Sequence, residues 1–253
     1  MAELFAGTSG YSYPNWKPEF YPQKLASRKF LQHYATRLNA VEINYTFHRT
    51  PAESTLENWI NSTSENFRFC IKAHQRITHF KRLKDVKEPT LLFLRSIDAL
   101  HETGRLGVVL FQLPPNLKRD TERLETFLGD LPGDMRYAME FRHESWFDDA
   151  VYDLLRKHNV TVCLAESDKL ETPEVRTADF VYFRLRKTDY TPEDRRRIVA
   201  KVEEIKDDGQ DVFLFYKHED TPVGALYAEE MLACISHHPT AEARDTTAMT
   251  SLR

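Results

Sequence analysis

The sequence predicts a single (β/α)8 barrel of the TIM type, an α/β fold. Eight short apolar runs alternate with segments of helical periodicity along the chain, which is the pattern of a parallel sheet covered by helices. Eight strands close such a barrel, and a length of 253 residues is typical of the fold. An open doubly wound sheet is the alternative, but no glycine-rich phosphate loop follows any of the runs.

The eight predicted strands each start where an apolar, β-branched or aromatic run begins. Their expected starts are Leu4, Ala40, Phe67, Gly107, Arg136, Val160, Phe180 and Val212. Apolar stripes at residues 30–38 and 151–158 predict two of the intervening helices. Further helices are expected to open at Asp120, at Thr191-Pro192 and at Thr221-Pro222, where a capping residue precedes a helical pattern.

The sixth connection is the irregular part of the pattern. Residues 167–179 contain Pro173 and little helical periodicity, so we expect this helix to be short or missing. No linker or internal repeat is evident, and one barrel domain is expected over residues 1–237. Residues 238–253 have few apolar side chains and are expected to form a surface or disordered tail.

Composition sets broad limits on the function. The net charge of −4 gives no general attraction to nucleic acid or to anionic membranes. No apolar run approaches the roughly 20 residues of a membrane helix, and no secretory leader is evident. The three cysteines are far apart and suggest neither a disulfide framework nor a zinc site. These features predict a cytoplasmic protein that does not bind membranes, and they leave its oligomeric state open.

Polar residues alternate with large apolar residues in several predicted strands. In the third strand, for example, Phe69 and Ile71 alternate with Cys70 and Lys72. Because successive strand side chains point to opposite faces, the large apolar set is expected to face the helices. The polar set then points into the barrel near its C-terminal mouth, where active sites of this fold lie.

This parity predicts a cluster of charged and polar side chains at the mouth of the barrel. The expected members are Glu42, Lys72, Gln112, Glu140, Arg184 and Tyr216. Two carboxylates and a lysine in one partly dry cavity shift each other's pKa values, so Glu42, Lys72 and Glu140 are the predicted catalytic residues. The alternative is a buried ion-pair network that only fills the barrel.

Two loops at this mouth have unusual compositions. The first, residues 10–25, is rich in aromatic residues and proline; it either walls a binding cleft or packs over the barrel end. The third, residues 74–87, carries five basic residues and one acidic residue. Such a rim would steer an anionic ligand, although most charge runs are only solvated faces.

The predicted ligand is therefore a small anionic molecule. The substrate-binding candidates are Tyr11, Asn44, His74, His79, Gln112, Arg142, Trp146, Asp168, Arg184, Tyr216, Lys217 and His218. Histidine, aspartate and glutamate at strand ends would also suit Zn²⁺ or Mn²⁺. The interleaved lysines and arginines would repel a cation, however, and no close metal motif is present, so neither a metal nor a cofactor is expected.

Several segments together resemble the YecE-like family, the domain of unknown function 72. They are residues 7–11 (GTSGY), Trp16, residues 20–22 (FYP), 41–47 (VEINYTF), 69–72 (FCIK), 77–79 (ITH), 111–115 (FQLPP) and 140–143 (EFRH) with Ser145-Trp146. The likeness extends to about Ile235. It implies a TIM-barrel-like fold and supplies no reaction, because the activity of that family is not established.

The chain departs from the common pattern of that family at two places. Many members read RLHG in the seventh strand, where this chain has Arg184-Leu185-Arg186-Lys187. Many read FNN after the eighth strand, where this chain has Phe215-Tyr216-Lys217. The second departure exchanges polar groups for other polar groups, so the resemblance does not fix the identity of the ligand.

Three hypotheses follow from the sequence. The first is a metal-independent enzyme on a small anionic, phosphorylated or sugar-like metabolite. Its base would be Glu140 or Glu42, and Arg142, Arg184 and Gln112 would clamp the substrate. Lys72 would be an acid or electrostatic stabiliser, or would form a Schiff base. The second is a phosphodiesterase or nuclease-like barrel that binds nucleic acid through the basic third loop. The third is a non-catalytic module that binds a ligand or docks a protein.

Overall fold

A computed structural model confirms the predicted barrel. It describes residues 2–167, 171–217 and 219–236. Eight parallel strands close into a barrel in chain order. The strands are β1 (Leu4–Ser9), β2 (Ala40–Ile43), β3 (Arg68–Lys72), β4 (Leu106–Gln112), β5 (Tyr137–Glu140), β6 (Thr161–Glu166), β7 (Phe180–Leu185) and β8 (Asp211–Tyr216). Each begins within about one residue of its predicted start.

Helices cover the outside of this barrel. They are α1 (Phe30–Tyr34), α2 (Glu53–Asn61), α3 (Lys87–Arg95), α4 (Asp98–Glu102), α5 (Thr121–Gly129), α6 (Asp149–Lys157), α7 (Pro192–Asp207) and α8 (Val223–Ser236). Two of the predicted caps are formed. Asp120 accepts from the backbone N–H of Arg123, and Thr191 forms a capping box with Asp194 at the start of α7.

The sixth connection has the predicted irregular form. Between β6 and β7, the described residues 171–179 contain no helix. The predicted tail, residues 238–253, lies outside the described residues. No described helix is long and apolar enough to cross a membrane.

The apolar core has two parts, as expected for a barrel wrapped by helices. The larger part lies between the strands and the helices. The smaller part fills the barrel and consists of Phe5, Ala40, Cys70, Val108, Leu110, Ala138, Cys163, Ala165, Phe180, Tyr182, Phe213 and Phe215. This inner plug closes the lower barrel, so the polar side chains that follow on the same faces are confined to the C-terminal mouth.

The absence of a side chain at Gly7 lets β1 and β2 approach each other at the point where Tyr34 forms hydrogen bonds with both strands. The Tyr34 hydroxyl donates to the carbonyl of Ala40 (2.9 Å) and accepts from the N–H of Thr8 (2.8 Å). A Cβ atom at Gly7 would lie 1.9 Å from the Ala40 carbonyl oxygen and 2.6 Å from the Tyr34 hydroxyl. Because one of these atoms is backbone, the clash cannot be relieved by a rotamer change.

We therefore expect Gly7→Ala to lower the free energy of unfolding by about 3 kcal/mol or more. The matched control is Gly133→Ala, since a Cβ atom there meets nothing within 4 Å. Urea denaturation of both variants measures the difference. Equal stabilities would show that the β1–β2 contact adjusts to the extra atom.

Candidate active site

Strand register brings the predicted polar residues into one layer at the mouth. Glu42 of β2 lies beside Ser9 of β1, and Gln112 of β4 lies beside Glu140 of β5. Arg184 of β7 points inward from the far side of the barrel and reaches both carboxylates. The inward direction that parity predicts for these residues is therefore confirmed.

Arg184 joins the two carboxylates at the centre of the barrel. Its Nε and Nη2 each donate to Glu42 over 2.7 Å, and its Nη1 donates to Glu140 over 2.5 Å. The side chain is only 2% exposed. The pKa of Arg184 is held well above its usual value because the two carboxylates outweigh the effect of burial. Arg184 thus lies below the surface of the cavity as the partner of both acids.

Glu42 has both oxygen atoms occupied. Ser9 donates to it over 2.7 Å, Asn44 over 3.1 Å and Tyr182 over 2.8 Å, in addition to the two bonds from Arg184. Burial by itself would raise the pKa of Glu42, but Arg184 and the hydroxyl donors lower it to about 2. A fully buried carboxylate with five hydrogen bonds is a weak base.

Glu140 lies nearer the mouth and contacts more cations. Gln112 donates to one oxygen over 2.8 Å, and Arg186 donates to the other over 3.1 Å. The Arg142 Nε lies 4.0 Å from the second oxygen. Burial raises the pKa of Glu140, but Arg184 and Arg186 reverse that effect, so its pKa lies below the usual value.

Lys72 is the amine of the cluster. Its Nζ donates to Gln112 Oε1 over 2.8 Å and lies 4.2 Å from the centre of the Phe47 ring. Within the described ranges, Lys72 forms no ion pair with a carboxylate. Burial and the Arg184 charge lower the pKa of Lys72 to about 8, although Glu42 and Glu140 oppose this. The Phe47 ring favours the ammonium by about 0.5–1 kcal/mol, less than the 1.4 kcal/mol of one pH unit.

His79 also contacts the Phe47 ring. The ring centres of the two residues are 4.8 Å apart, and Thr78 Oγ1 lies 2.9 Å from His79 Nδ1. Burial lowers the pKa of His79, and the positive charges of Lys72 and Arg142 lower it further. His79 is therefore a neutral imidazole near the amine.

The remaining loop candidates lie further from the carboxylates. Lys217, which follows β8, is half-exposed and pairs with Glu219 over 3.4 Å. Its charge still helps to lower the pKa of Lys72. His74 accepts from the backbone N–H of Arg76 over 3.1 Å and so stabilises the start of the third loop. Asp168 and His218 lie outside the described residues.

The structure contradicts the predictions for Tyr216 and Trp146. Tyr216 faces the helices, where its ring packs against Tyr190 and against Tyr227 of α8, so its predicted inward direction is wrong. In β8 the inward residues are Phe213 and Phe215. Trp146 is 1% exposed, and its Nε1 donates to the carbonyl of Leu117 over 2.7 Å. It supports the mouth loops and offers no face to a ligand.

The first loop is packed over the barrel end, which is one of its two expected forms. Trp16, Phe20 and Tyr21 are buried, and Tyr21 stacks on Phe30 with ring centres 4.1 Å apart. Tyr11 is partly buried beside Tyr34 of α1. The rings of Trp16, Phe20, Tyr21 and Tyr11 therefore pack against the helix layer and do not wall an open cleft.

Four residues that shape the site are not among the predicted catalytic and substrate-binding residues. Ser9 and Tyr182 bind Glu42, and Arg186 binds Glu140. Phe47 contacts Lys72. Strand parity indicates Tyr182, because it shares the inward face with Arg184, whereas Phe47 lies after β2 in a 3₁₀ turn where strand parity does not apply.

Among residues 2–167, 171–217 and 219–236, no group of three or more histidine, cysteine or acidic side chains lies close enough to share a metal ion. Positive charges outnumber negative ones among the charged side chains described above. Five cations, Lys72, Arg142, Arg184, Arg186 and Lys217, surround three carboxylates, Glu42, Glu140 and Glu219.

Fold and site together define a TIM-type barrel with an arginine-bridged pair of glutamates beneath a cationic mouth. The chain belongs to the family described as "Protein of unknown function DUF72", which matches residues 5–249. This confirms the resemblance seen in the sequence.

Curated relatives support this membership. The UPF0759 protein YunF of Bacillus subtilis is 33% identical over 156 residues, which is 59% of this chain and 54% of YunF. The UPF0759 protein YecE of Escherichia coli K12 is 30% identical over 145 residues, 57% of this chain and 50% of YecE. The matched part thus spans about half the length of these relatives.

Solved structures show the same fold. A DUF72 family protein from Thermotoga maritima MSB8 aligns with a TM-score of 0.83 and 27% identity, over 93% of this chain and 100% of that chain. A DUF72 family protein from Enterococcus faecalis V583 aligns with a TM-score of 0.74 and 17% identity, over 92% of this chain and 96% of that chain. SacUVDE aligns with a TM-score of 0.52 and 13% identity, over 94% of this chain and 100% of that chain. This likeness shows a shared fold alone.

The two kinds of cation in the site should differ in their effect on stability. Arg184→Met leaves the buried Glu42 without a cationic partner and Glu140 with only Arg186 and Arg142, so we expect the free energy of unfolding to fall by about 3–5 kcal/mol. Lys72→Met removes an amine that pairs with an amide only, and we expect a change within about 1 kcal/mol. Denaturant unfolding at neutral pH compares both variants with the wild type.

A third variant keeps this comparison interpretable if Arg184→Met fails to fold. Adding Glu42→Gln and Glu140→Gln to Arg184→Met removes the unpaired charges and should recover part of the lost stability. If Lys72→Met is destabilised as strongly as Arg184→Met, the lysine belongs to the structural network.

Proposed function

We propose that this DUF72 chain is an enzyme that acts on a small anionic metabolite, phosphorylated or sugar-like, at the C-terminal mouth of the barrel. The observation that carries the proposal is the charge balance of the mouth. Arg184 offsets one of the two negative charges of the buried glutamates. The four other cations of the mouth still outnumber the remaining glutamate charge and Glu219 by two. An excess of positive charge in a partly dry cavity attracts an anion and repels a metal ion.

Arg186 and Arg142 are the proposed anion-binding residues. Both sit above Glu140, and the Nε–H of Arg186 is buried without an acceptor among the described residues. A buried donor without a partner is costly, and a ligand oxygen would satisfy it. Guanidinium groups match phosphate oxygens in geometry, which supports a phosphorylated substrate.

Lys72 is the proposed acid/base group. A pKa of about 8 lets the amine take up and release a proton near neutral pH. Glu140 is assigned to positioning, because it holds the Gln112 amide that in turn holds Lys72. Glu42 is proposed as the anchor of Arg184. The role of base that the sequence suggested for it is not favoured, since both of its oxygens are occupied.

Binding of inorganic phosphate tests the anion site. We expect the wild type to bind phosphate in isothermal titration calorimetry. We expect Arg186→Met and Arg142→Met each to weaken binding at least about tenfold, the equivalent of about 1.4 kcal/mol, within the range for one charge-assisted hydrogen bond. Arg95→Met changes an exposed arginine on α3 and serves as the matched control.

Two results would count against the proposal. One is an absence of any binding of phosphate, sulfate or a panel of sugar phosphates at millimolar concentration. The other is equal binding by the wild type and all three variants, which would place the bound anion elsewhere. A thermal-shift screen with phosphorylated metabolites then identifies the substrate, because a ligand that binds the native state raises the melting temperature.

A second candidate function is nucleic-acid binding at the basic third loop. The observation that favours it is Phe80, which is 71% exposed beside the exposed Arg76 and Arg82. An exposed ring flanked by cations is suited to stack on an unpaired base. The fold likeness to SacUVDE does not add to this argument.

This second candidate makes its own prediction. A fluorescent single-stranded oligonucleotide should bind with an affinity that falls steeply as salt rises, and Phe80→Ala should weaken binding by about 1–3 kcal/mol. Leu92→Ala is the control, because Leu92 is also an exposed apolar side chain but lies on α3. No anisotropy change at low salt would eliminate the candidate.

A further inference from the structure

The surroundings of the Lys72 amine differ from those of an ordinary buried lysine. A buried ammonium normally has a carboxylate partner, but Lys72 Nζ donates to the Gln112 amide oxygen over 2.8 Å. The two nearby carboxylates are held by Arg184. Burial and then the Arg184 charge favour the neutral form of the amine, and Lys217 adds to this effect against the opposing charges of Glu42 and Glu140.

Gln112 fixes the direction of this amine. The Gln112 Nε2 donates to Glu140 Oε2 over 2.8 Å, and an ionised carboxylate accepts hydrogen bonds only. The amide nitrogen must therefore face Glu140, and the amide oxygen must face Lys72. The neutral amine then donates one N–H to that oxygen and keeps its lone pair free of this bond.

The anion-binding arginines are linked to the same amine by a short series of hydrogen bonds. Lys72 donates to Gln112, Gln112 donates to Glu140, and Arg186 donates to the other oxygen of Glu140 over 3.1 Å. The amine and the Arg186 guanidinium thus belong to one continuous series of hydrogen bonds. A phosphate held at Arg186 and Arg142 would place the rest of a short substrate beside Lys72.

We infer that Lys72 is the nucleophile of the proposed enzyme and forms an imine with the carbonyl carbon of a phosphorylated aldehyde or ketone. This inference rests on the proposed function, replaces the acid/base role of Lys72 with a covalent one, and narrows the substrate class to phosphorylated carbonyl compounds. The lowered pKa of Lys72, about 8, supports it because the neutral amine is then present at physiological pH.

The reaction balances without an added oxidant or reductant. The Nζ lone pair attacks the carbonyl carbon, the C–O π bond breaks, and the oxygen takes a proton from the nitrogen to give a carbinolamine. The C–O bond then breaks, and the second nitrogen proton leaves with the hydroxyl group as water. The net change is amine plus carbonyl giving imine plus water. The imine withdraws electrons from the adjacent carbon, so proton removal or carbon–carbon cleavage there becomes easier.

Reductive trapping tests the imine. The wild type is incubated with D-glyceraldehyde 3-phosphate and sodium cyanoborohydride, and the adduct is located by peptide mass spectrometry. We expect modification of Lys72 at least tenfold faster than that of Lys157, an exposed lysine at the C-terminal end of α6. The rate should rise with pH, reach half of its maximum near pH 8 and level off about one unit higher, because the neutral amine is the reacting form.

Matched controls separate the role of Lys72 as nucleophile from the role of Arg186 and Arg142 in binding the phosphate group. Unphosphorylated glyceraldehyde should label Lys72 at least tenfold more slowly, and inorganic phosphate should compete with the phosphorylated probe. Lys72→Arg should abolish the site-specific adduct while the phosphate affinity stays within about threefold of wild type. Arg186→Met should retain the amine but reduce its labelling by the phosphorylated probe to the level seen with glyceraldehyde.

The outcomes distinguish a failure of the Lys72 imine from a failure of the proposed anion-binding function. If phosphate binds and is weakened by Arg186→Met, but Lys72 is labelled no faster than Lys157, the imine is overturned and the anion site stands. If phosphate does not bind and Lys72 is not labelled preferentially, both are overturned. Preferential labelling that is equal with and without the phosphate group keeps the nucleophile and removes the phosphorylated substrate class.

Discussion

The pairing of Arg184 with Glu42 and Glu140 is the interaction on which the rest of the site depends. Two buried carboxylates would repel each other and raise each other's pKa values, and one guanidinium resolves both problems with three short hydrogen bonds. Because Arg184 comes from β7 and the acids come from β2 and β5, this ion cluster also ties together strands that are not neighbours in the barrel. Removing one member leaves the others charged and buried, so the cluster is costly to interrupt.

This pairing decides the chemistry above it. With both acids engaged, Lys72 is left with an amide partner, and its pKa falls to about 8 because burial and Arg184 outweigh the acids. Arg186 and Arg142 then stand over an acid that Arg184 already neutralises in part. In our proposal, the predicted catalytic acids Glu42 and Glu140 therefore hold Arg184 and Gln112 in place and take no direct part in the reaction. The lysine and the arginines carry the proposed binding and reaction.

Local patterns account for most of the fold and for the direction of most site residues. Alternation of polar and apolar side chains in β2 to β5 and β7 has only one interpretation, because a large apolar face must meet the helices. It failed at β8, where Val212, Phe213, Leu214, Phe215 and Tyr216 are apolar or aromatic on both faces. In such a strand, the alternation of polar and apolar residues does not show which side chains face into the barrel. Its register with β1 and β7 places Phe213 and Phe215 inside and Tyr216 outside.

The sequence by itself determined the number of strands, their starts, the irregular sixth connection and the inward face of Glu42, Lys72, Gln112, Glu140 and Arg184. These features follow from short-range periodicity, which is a property of neighbouring residues. Only the tertiary structure decided which inward side chains touch. Parity gives a face but not the depth in the barrel or the distance across it, and it says nothing about loop residues. The partners of Arg184, the amide contact of Lys72 and the burial of Trp146 depend on how eight separate strands and their loops are brought together in space.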